Sequence, residues 1–259
     1  MVRSFTAVLA ATSTLALAGC IFDGGGGGGG AAPGGGGGGG GAPGGGGGGG
    51  GPAPTFSSDA AYNDRYDAQP VTGFAGVGNT FSGDFDGEVQ AQVQTVDLGS
   101  GGIQDRGYVV GDLDVSIDWT DGQTGNAITG TASGFDGNID GDDVTFTGTL
   151  TASDSAQGAG ASSGPGIRQI TFQELSDQTG QPIPQGVDPS DTITLVGIAL
   201  DGTLNEGDIG DVDANLILSG NVSGTGDTIR GLTTTGSVSF DGGMAIVAGP
   251  DSNWYLVRR

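Results

Sequence analysis

Beyond residue 70 the chain alternates between apolar and polar side chains with a period of two. "FSGDFDGEVQAQVQ" places Phe81, Phe85, Val89, Ala91 and Val93 on one face, and Ser82, Asp84, Asp86, Glu88, Gln90, Gln92 and Gln94 on the other. "GDLDVSIDW" sets Leu113, Val115, Ile117 and Trp119 against Asp112, Asp114, Ser116 and Asp118. "DVTFTGTLT" sets Val144, Phe146 and Leu150 against four threonines. A period of two belongs to strands with one buried and one wet face, which is the antiparallel arrangement. Val, Ile, Phe and Thr suit it. Further strands are expected at 127–135, 168–174, 191–204, 212–223, 228–240, 244–248 and 253–258, and no segment carries a helical period.

Turn chemistry separates these strands. "TDGQTGN" (120–126), "FDGNIDGDD" (135–143), "LNEGDIGD" (204–211) and "SGTGDT" (223–228) are rich in Gly, Asp and Asn, the residues of hairpin loops. A short phrase recurs as "TGTA" at 129, "TGTL" at 147, "DGTL" at 201, "SGNV" at 219 and "TGSV" at 235. The recurrence marks successive strands of a meander, with Gly easing the curvature. A long meander closes to remove its edges, so the expected fold is all-β: an antiparallel up-and-down β-barrel of about eight strands. A transmembrane barrel would turn apolar bands and aromatic girdles outward. Here the second face is Asp, Gln, Ser and Thr, which points to a soluble barrel.

The first 55 residues cannot belong to that barrel. "MVRSFTAVLAATSTLALAGC" has one charge, Arg3, and then an apolar run from Phe5 to Ala18. The run is shorter than the roughly 20 residues of a spanning helix and fits a secretory signal peptide. It ends in "LAGC", and Cys20 is the only cysteine of the chain. Glycine runs follow at 24–30, 34–41 and 44–51, broken by "AAP" and "AP". Glycine has backbone freedom to lose and no side chain to bury, so this stretch is read as an unfolded tether. About 30 such residues reach roughly 30 Å on average. The expected organisation is a signal peptide at 1–19, a lipidated Cys with a Gly/Pro-rich linker at 20–55, and a barrel domain at 56–259 with a long loop near 153–190.

Charge and missing residue types narrow the chemistry. The chain carries 30 Asp or Glu against seven basic residues, all Arg, and no His, giving a formal charge of −23. Without His there is no Ser-His-Asp triad and no imidazole ligand; without Lys there is no Schiff base and no P-loop lysine. Nucleic acid needs clustered cations and is not an expected partner. Asp84, Asp86, Asp112, Asp114 and Asp118 could form carboxylate pairs of the glycosidase kind, but they fall on the exposed strand faces. The reading is therefore of a protein that is not an enzyme.

Three local candidates remain. "DGNIDGDD" opens like a calcium loop, with Asp136, Asn138, Asp140, Asp142 and Asp143 offering oxygens to a hard cation. Its twelfth position is Thr147 rather than Glu and strands flank it, so a hairpin turn with solvated acids competes with calcium as its cofactor. "PIPQGVDP", within the long loop, is the best candidate for an ordered binding loop, against a loose connection. "SNWYLVRR" is a closing strand, or an aromatic patch with Arg258 and Arg259.

"LAGC" (Leu17, Ala18, Gly19, Cys20) resembles the lipobox of bacterial lipoproteins. The resemblance implies that Cys20 is diacylated, which anchors the protein to a membrane through chains that contribute roughly 0.8 kcal/mol per buried methylene. Ile21, in place of the Asp that resembles an inner-membrane retention signal, favours the outer membrane. Together with the Gly-rich tether and the strands "LDVSIDWTDGQTGNAITGTASG" and "DVTFTGTL", the chain resembles the β-barrel domain of transferrin-binding protein B and its relatives. The likeness covers 107–152 and, more loosely, 191–240; the ending "GGMAIVAGPDSNWYLVRR" departs from it by lacking the family's aromatic phrase. It implies display on the cell surface and binding of an extracellular protein, an outer-membrane receptor or an iron-related ligand. Residence on the periplasmic face, a coat lipoprotein with no specific ligand, and a calcium-dependent adhesion module are the competing readings.

Overall fold

A computed structural model describes residues 59–70, 76–97, 102–123, 127–152, 166–208, 210–240, 243–247 and 252–259. The segments read as signal peptide, lipobox and glycine tether lie outside the described residues, as does the 153–165 part of the long loop. Helix α1 (Ala60–Asp67) comes first, followed by β1 (Thr80–Asp97), β2 (Gly102–Thr120), β3 (Ile128–Ile139), β4 (Asp142–Ala152) and β5 (Gly166–Thr171). Helix α2 (Phe172–Thr179) leads to β6 (Thr192–Glu206), β7 (Gly210–Val222), β8 (Thr228–Phe240), β9 (Gly243–Val247) and β10 (Asn253–Arg258).

Every pairing is antiparallel, and sequence neighbours pair from β1 through β4 and from β6 through β9. β4 joins β6 at Thr147–Ala152. The ring closes through β10, which pairs with β1 on one side (Phe85↔Arg258 to Gln90↔Asn253) and β8 on the other (Asn253↔Leu232 to Val257↔Thr228). β9 lies in the same gap further along, between β8 (Gly236–Phe240) and β1 (Val93, Gln94). β9 and β10 are thus two halves of one stave, and the ring has eight. A second stave is divided in the same way: β5 continues along β6 (Gly166↔Gly197 to Thr171↔Thr192) where β4 leaves it. The all-β, up-and-down arrangement expected from the alternation is the one observed.

The alternation also assigns the faces correctly. Phe81, Phe85, Val89, Ala91, Leu113, Val115, Ile117, Trp119, Val144, Phe146 and Leu150 are all in the core, joined from the later strands by Val196, Ile198, Leu200, Leu216, Leu218, Trp254 and Leu256. An eight-stranded ring is just wide enough for such side chains to fill. The recurring glycines sit where neighbouring backbones approach most closely. A Cβ on Gly130, Gly148, Gly202 or Gly220 would come within 2.5–2.8 Å of the carbonyl of Asp114, Thr203, Thr149 or Arg230, respectively.

Two expectations are corrected. Residues 135–143 are not a long turn: β3 runs to Ile139, β4 starts at Asp142, and only Asp140 and Gly141 turn, both at positive φ (56° and 97°). That is the two-residue loop whose twist suits a hairpin. The described residues also hold two eight-residue helices. α2 takes the second half of "RQITFQEL", because Thr171 and Glu174 form a reciprocal capping box that fixes a helix start there. Asp59 caps α1 by accepting from the Tyr62 amide at 2.6 Å. Among the described residues no helix is long and apolar enough to cross a membrane.

Candidate functional site

The filled interior leaves the outer wall and the ends of the ring for contact with other molecules. Around β1–β4 and along β6–β7 the wall is acidic, and its carboxylates take neutral donors from the adjacent strand. Ser116 Oγ donates to Asp84 at 2.5 Å, Thr145 Oγ1 to Asp136 at 2.7 Å, Thr203 Oγ1 to Asp213 at 2.9 Å and Asn205 Nδ2 to Asp211 at 2.8 Å. Asp86 and Asp114 face each other across β1 and β2 and share Arg259, whose Nη2 lies 2.5 and 2.7 Å from them. The carboxylates singled out as glycosidase pairs therefore stand on the exposed side of the wall.

The calcium-loop residues are spread along the β3–β4 hairpin. Asp136 accepts from Thr145, Asn138 accepts from the Gly141 amide at 3.1 Å and donates to Asp143 at 3.1 Å, and Asp140 pairs with Arg106. Asp142 is exposed at the start of β4. Four of the five candidates are strand residues, and the two-residue turn gives the chain no length in which to wrap an ion. Among the described residues no three Asp, Glu, His or Cys side chains gather as they would around a metal.

The closing strand is structural. Trp254 and Leu256 are wholly buried in the core. Arg258, on the same face, reaches across the end of the ring: it lies 5.0 Å over the Phe85 ring and donates to the carbonyls of Ser82 (2.6 Å) and Gly226 (3.2 Å). Tyr255 points outward but is covered by α1. Its hydroxyl donates to Glu88 at 2.6 Å, and Glu88 also receives Arg65 of α1 at 2.7 Å. Burial and the neighbouring Glu88 carboxylate push the Tyr255 phenol up to about 12. Tyr62 packs 6.1 Å from both Tyr66 and Tyr255 and donates to the Asn253 carbonyl at 2.8 Å; burial first, then these neighbours, drives its phenol well above the usual range. Arg230 stacks 4.0 Å over Tyr66. This cluster holds α1 to the wall and leaves no open aromatic patch.

The described projection from the wall that carries surface of its own is α2 with residues 180–191. On the outer face of β5 and β6, Ile170, Ile193 and Leu195 form an apolar patch under Phe172 and Leu175 of α2, with Ile183 and Val187 of the following loop packed against it. The loop containing "PIPQGVDP" is pinned at its base: the Phe172 and Gln173 amides donate to the carbonyls of Asp191 (3.1 Å) and Pro189 (3.0 Å). Asp188 accepts from the Ser190 amide and hydroxyl at 2.9 and 2.7 Å, which holds its carboxyl below the usual range. Pro182, Gln185 and Pro189 remain exposed on its outside. The sequence located this loop but not the helix that mounts it; "TFQE" followed by Gly180 is the signal that reveals it. Arg168, at the edge of this projection, is the one basic residue between Arg106 and Arg230, and that spacing is the only mark the sequence gives it.

No family model matches this chain, and no curated protein or solved structure does either.

Proposed function

We propose that the protein is an outer-membrane lipoprotein, anchored through Cys20 and displayed at the cell surface, whose β-ring acts as a non-enzymatic binding module. The observation that carries the reading is the order of parts. A lipobox with the only cysteine is followed at once by glycine runs, and then by a ring whose interior is filled with its own side chains. Acyl chains at Cys20 would fix one end, the glycines would supply reach, and the ring would present its wall outward. The ordered projection of α2 and residues 180–191 is the face for a partner, which the resemblance to transferrin-binding protein B relatives makes an extracellular protein, an outer-membrane receptor or an iron-related ligand.

Labelling of cells with radioactive palmitate, combined with protease treatment of intact cells, tests the anchor and the display together. The expected result is label on the wild type, none on Cys20→Ala, and removal of the ring domain from intact cells. Label without cleavage places the protein on the periplasmic face; absence of label overturns the anchor.

A further inference from the structure

Six arginines lie among the described residues, and five of them are engaged. Arg65, Arg106, Arg258 and Arg259 meet carboxylates, and Arg230 stacks on Tyr66 and donates to the Gln69 carbonyl at 3.2 Å. Arg168 has neither a carboxylate nor a hydrogen-bond acceptor among the described residues. It is half-buried, and burial holds its guanidinium below the ordinary arginine value, with no carboxylate of the described residues acting on it. A desolvated cation without a partner is unfavourable. A chain with 30 acids had every opportunity to supply one.

Its position gives the vacancy a direction. Ile167 belongs to the ring core and Ile170 to the outer apolar patch, so Arg168 shares the outer face with Ile170. It stands directly opposite Leu195 of that patch. The guanidinium is thus a charged fork set beside the apolar cluster that α2 and its loop cover. Two features restrict what fits. A guanidinium matches a carboxylate or a phosphate in a two-bond geometry. The formal charge of −23 repels polyanions, which leaves a single carboxylate on an apolar carrier. We propose that Arg168 anchors a protein partner by one of its carboxylates, from an acidic side chain or a chain end flanked by an apolar residue that rests against the α2 projection. This rests on the binding-module reading above.

The test uses the full chain, labelled with nitrogen-15, and follows the arginine Nε–H signals during titration with benzoate, benzamide or inorganic phosphate; Arg168→Gln assigns the signal. Benzoate is expected to move the Arg168 signal, its neutral isostere benzamide to leave it in place, and phosphate to act more weakly than benzoate. In Arg168→Gln, benzoate affinity should fall about tenfold or more, while the melting temperature holds or rises because an unpaired cation has been removed. Arg168→Lys, which keeps the charge and loses the fork, should fall between. Panning a displayed random-peptide library on the full chain should enrich Asp or Glu beside an apolar residue, and this enrichment should vanish with Arg168→Gln. The inference is overturned if Arg168 responds to benzoate no more than the paired arginines do, if phosphate binds as tightly as benzoate, if panning enriches no such sequences, or if Arg168→Gln lowers the melting temperature. A failure here with palmitate label and surface cleavage intact removes Arg168 alone; a failed anchor with a normal benzoate response removes the location alone.

Discussion

Replacing Tyr62 by Ala tests whether α1 is a strap laid on a self-sufficient ring or a part of its core. Tyr62 is fully buried, yet it is the one buried residue of α1 and lies outside the ring core. The other attachments of the helix are mostly polar: Arg65 to Glu88, the Asp59 amide to Gln90 Oε1 at 2.6 Å, and Arg230 to Tyr66 and Gln69, with the Tyr66 ring 6.4 Å from that of Tyr255. Truncating a buried aromatic costs about 3–5 kcal/mol. An eight-residue helix has no stability of its own, so the loss should release residues 59–70 as a unit. At about 2–4 °C per kcal/mol for a domain of this size, the melting temperature should fall by about 6–20 °C. Tyr62→Phe removes only the bond to the Asn253 carbonyl, about 1 kcal/mol, or about 2–4 °C. Hydrogen exchange read by mass spectrometry locates the effect. In Tyr62→Ala, amides of 60–67 should exchange at the unfolded rate while those of Leu113–Ile117 stay protected. Equal acceleration in both segments, or an Ala variant no worse than the Phe variant, would refute the strap.

Three further outcomes follow from the same geometry. Gly87→Ala should cost about 1–3 kcal/mol in urea unfolding, because its Cβ would land on the Tyr255 carbonyl where β1 meets β10; unchanged stability would show that the two strands can part there freely. Melting temperature should rise with sodium chloride, since wall carboxylates bonded to hydroxyls and amides keep their mutual repulsion and salt screens it; a flat response would contradict this. Absorbance of ionised tyrosine should show Tyr255 titrating near 12. A phenol raised above its unfolded value favours the protonated native state, so its contribution is complete below pH 10 and is lost as pH rises through 12; Glu88→Gln should move that loss to lower pH.

The ring was legible in the sequence because half of every stave must be apolar, and a period of two survives any detail of packing. The strands at 228–240 and 253–258 were bounded to the residue. The outer face was read less well where something covers it. Gln90 and Gln92 alternate as wet residues but are buried: Gln90 meets Asp59 and Asn63 at the start of α1, and Gln92 meets Ser252 and Asp105. The helices were missed because neither carries an apolar stripe of its own: each is eight residues long and is held by a cap and one or two buried side chains. The phrase "DGNIDGDD" left two readings open because Asp-Gly serves a tight hairpin as readily as an ion loop; the backbone at Asp140 and Gly141 shows the hairpin.

The placement of the cations ties the fold to the proposed site. Several wall carboxylates are satisfied by hydroxyls and amides, so the few arginines are free to go where the ring is weakest. Arg65 and Arg230 fasten α1. Arg106 grips Asp140 at the tip of the β3–β4 hairpin. Arg258 and Arg259 lock β10, half of the divided closing stave, to β1, to β2 and to the turn before β8. Each of these five joins two elements that backbone pairing alone leaves loosely held. Among the described residues Arg168 joins nothing: β5 is already paired along its whole length with β6, and no described carboxylate meets its guanidinium. A cation without a partner among the described residues, kept half out of water beside the apolar patch under α2, is accounted for, on the proposal above, by what it meets from outside.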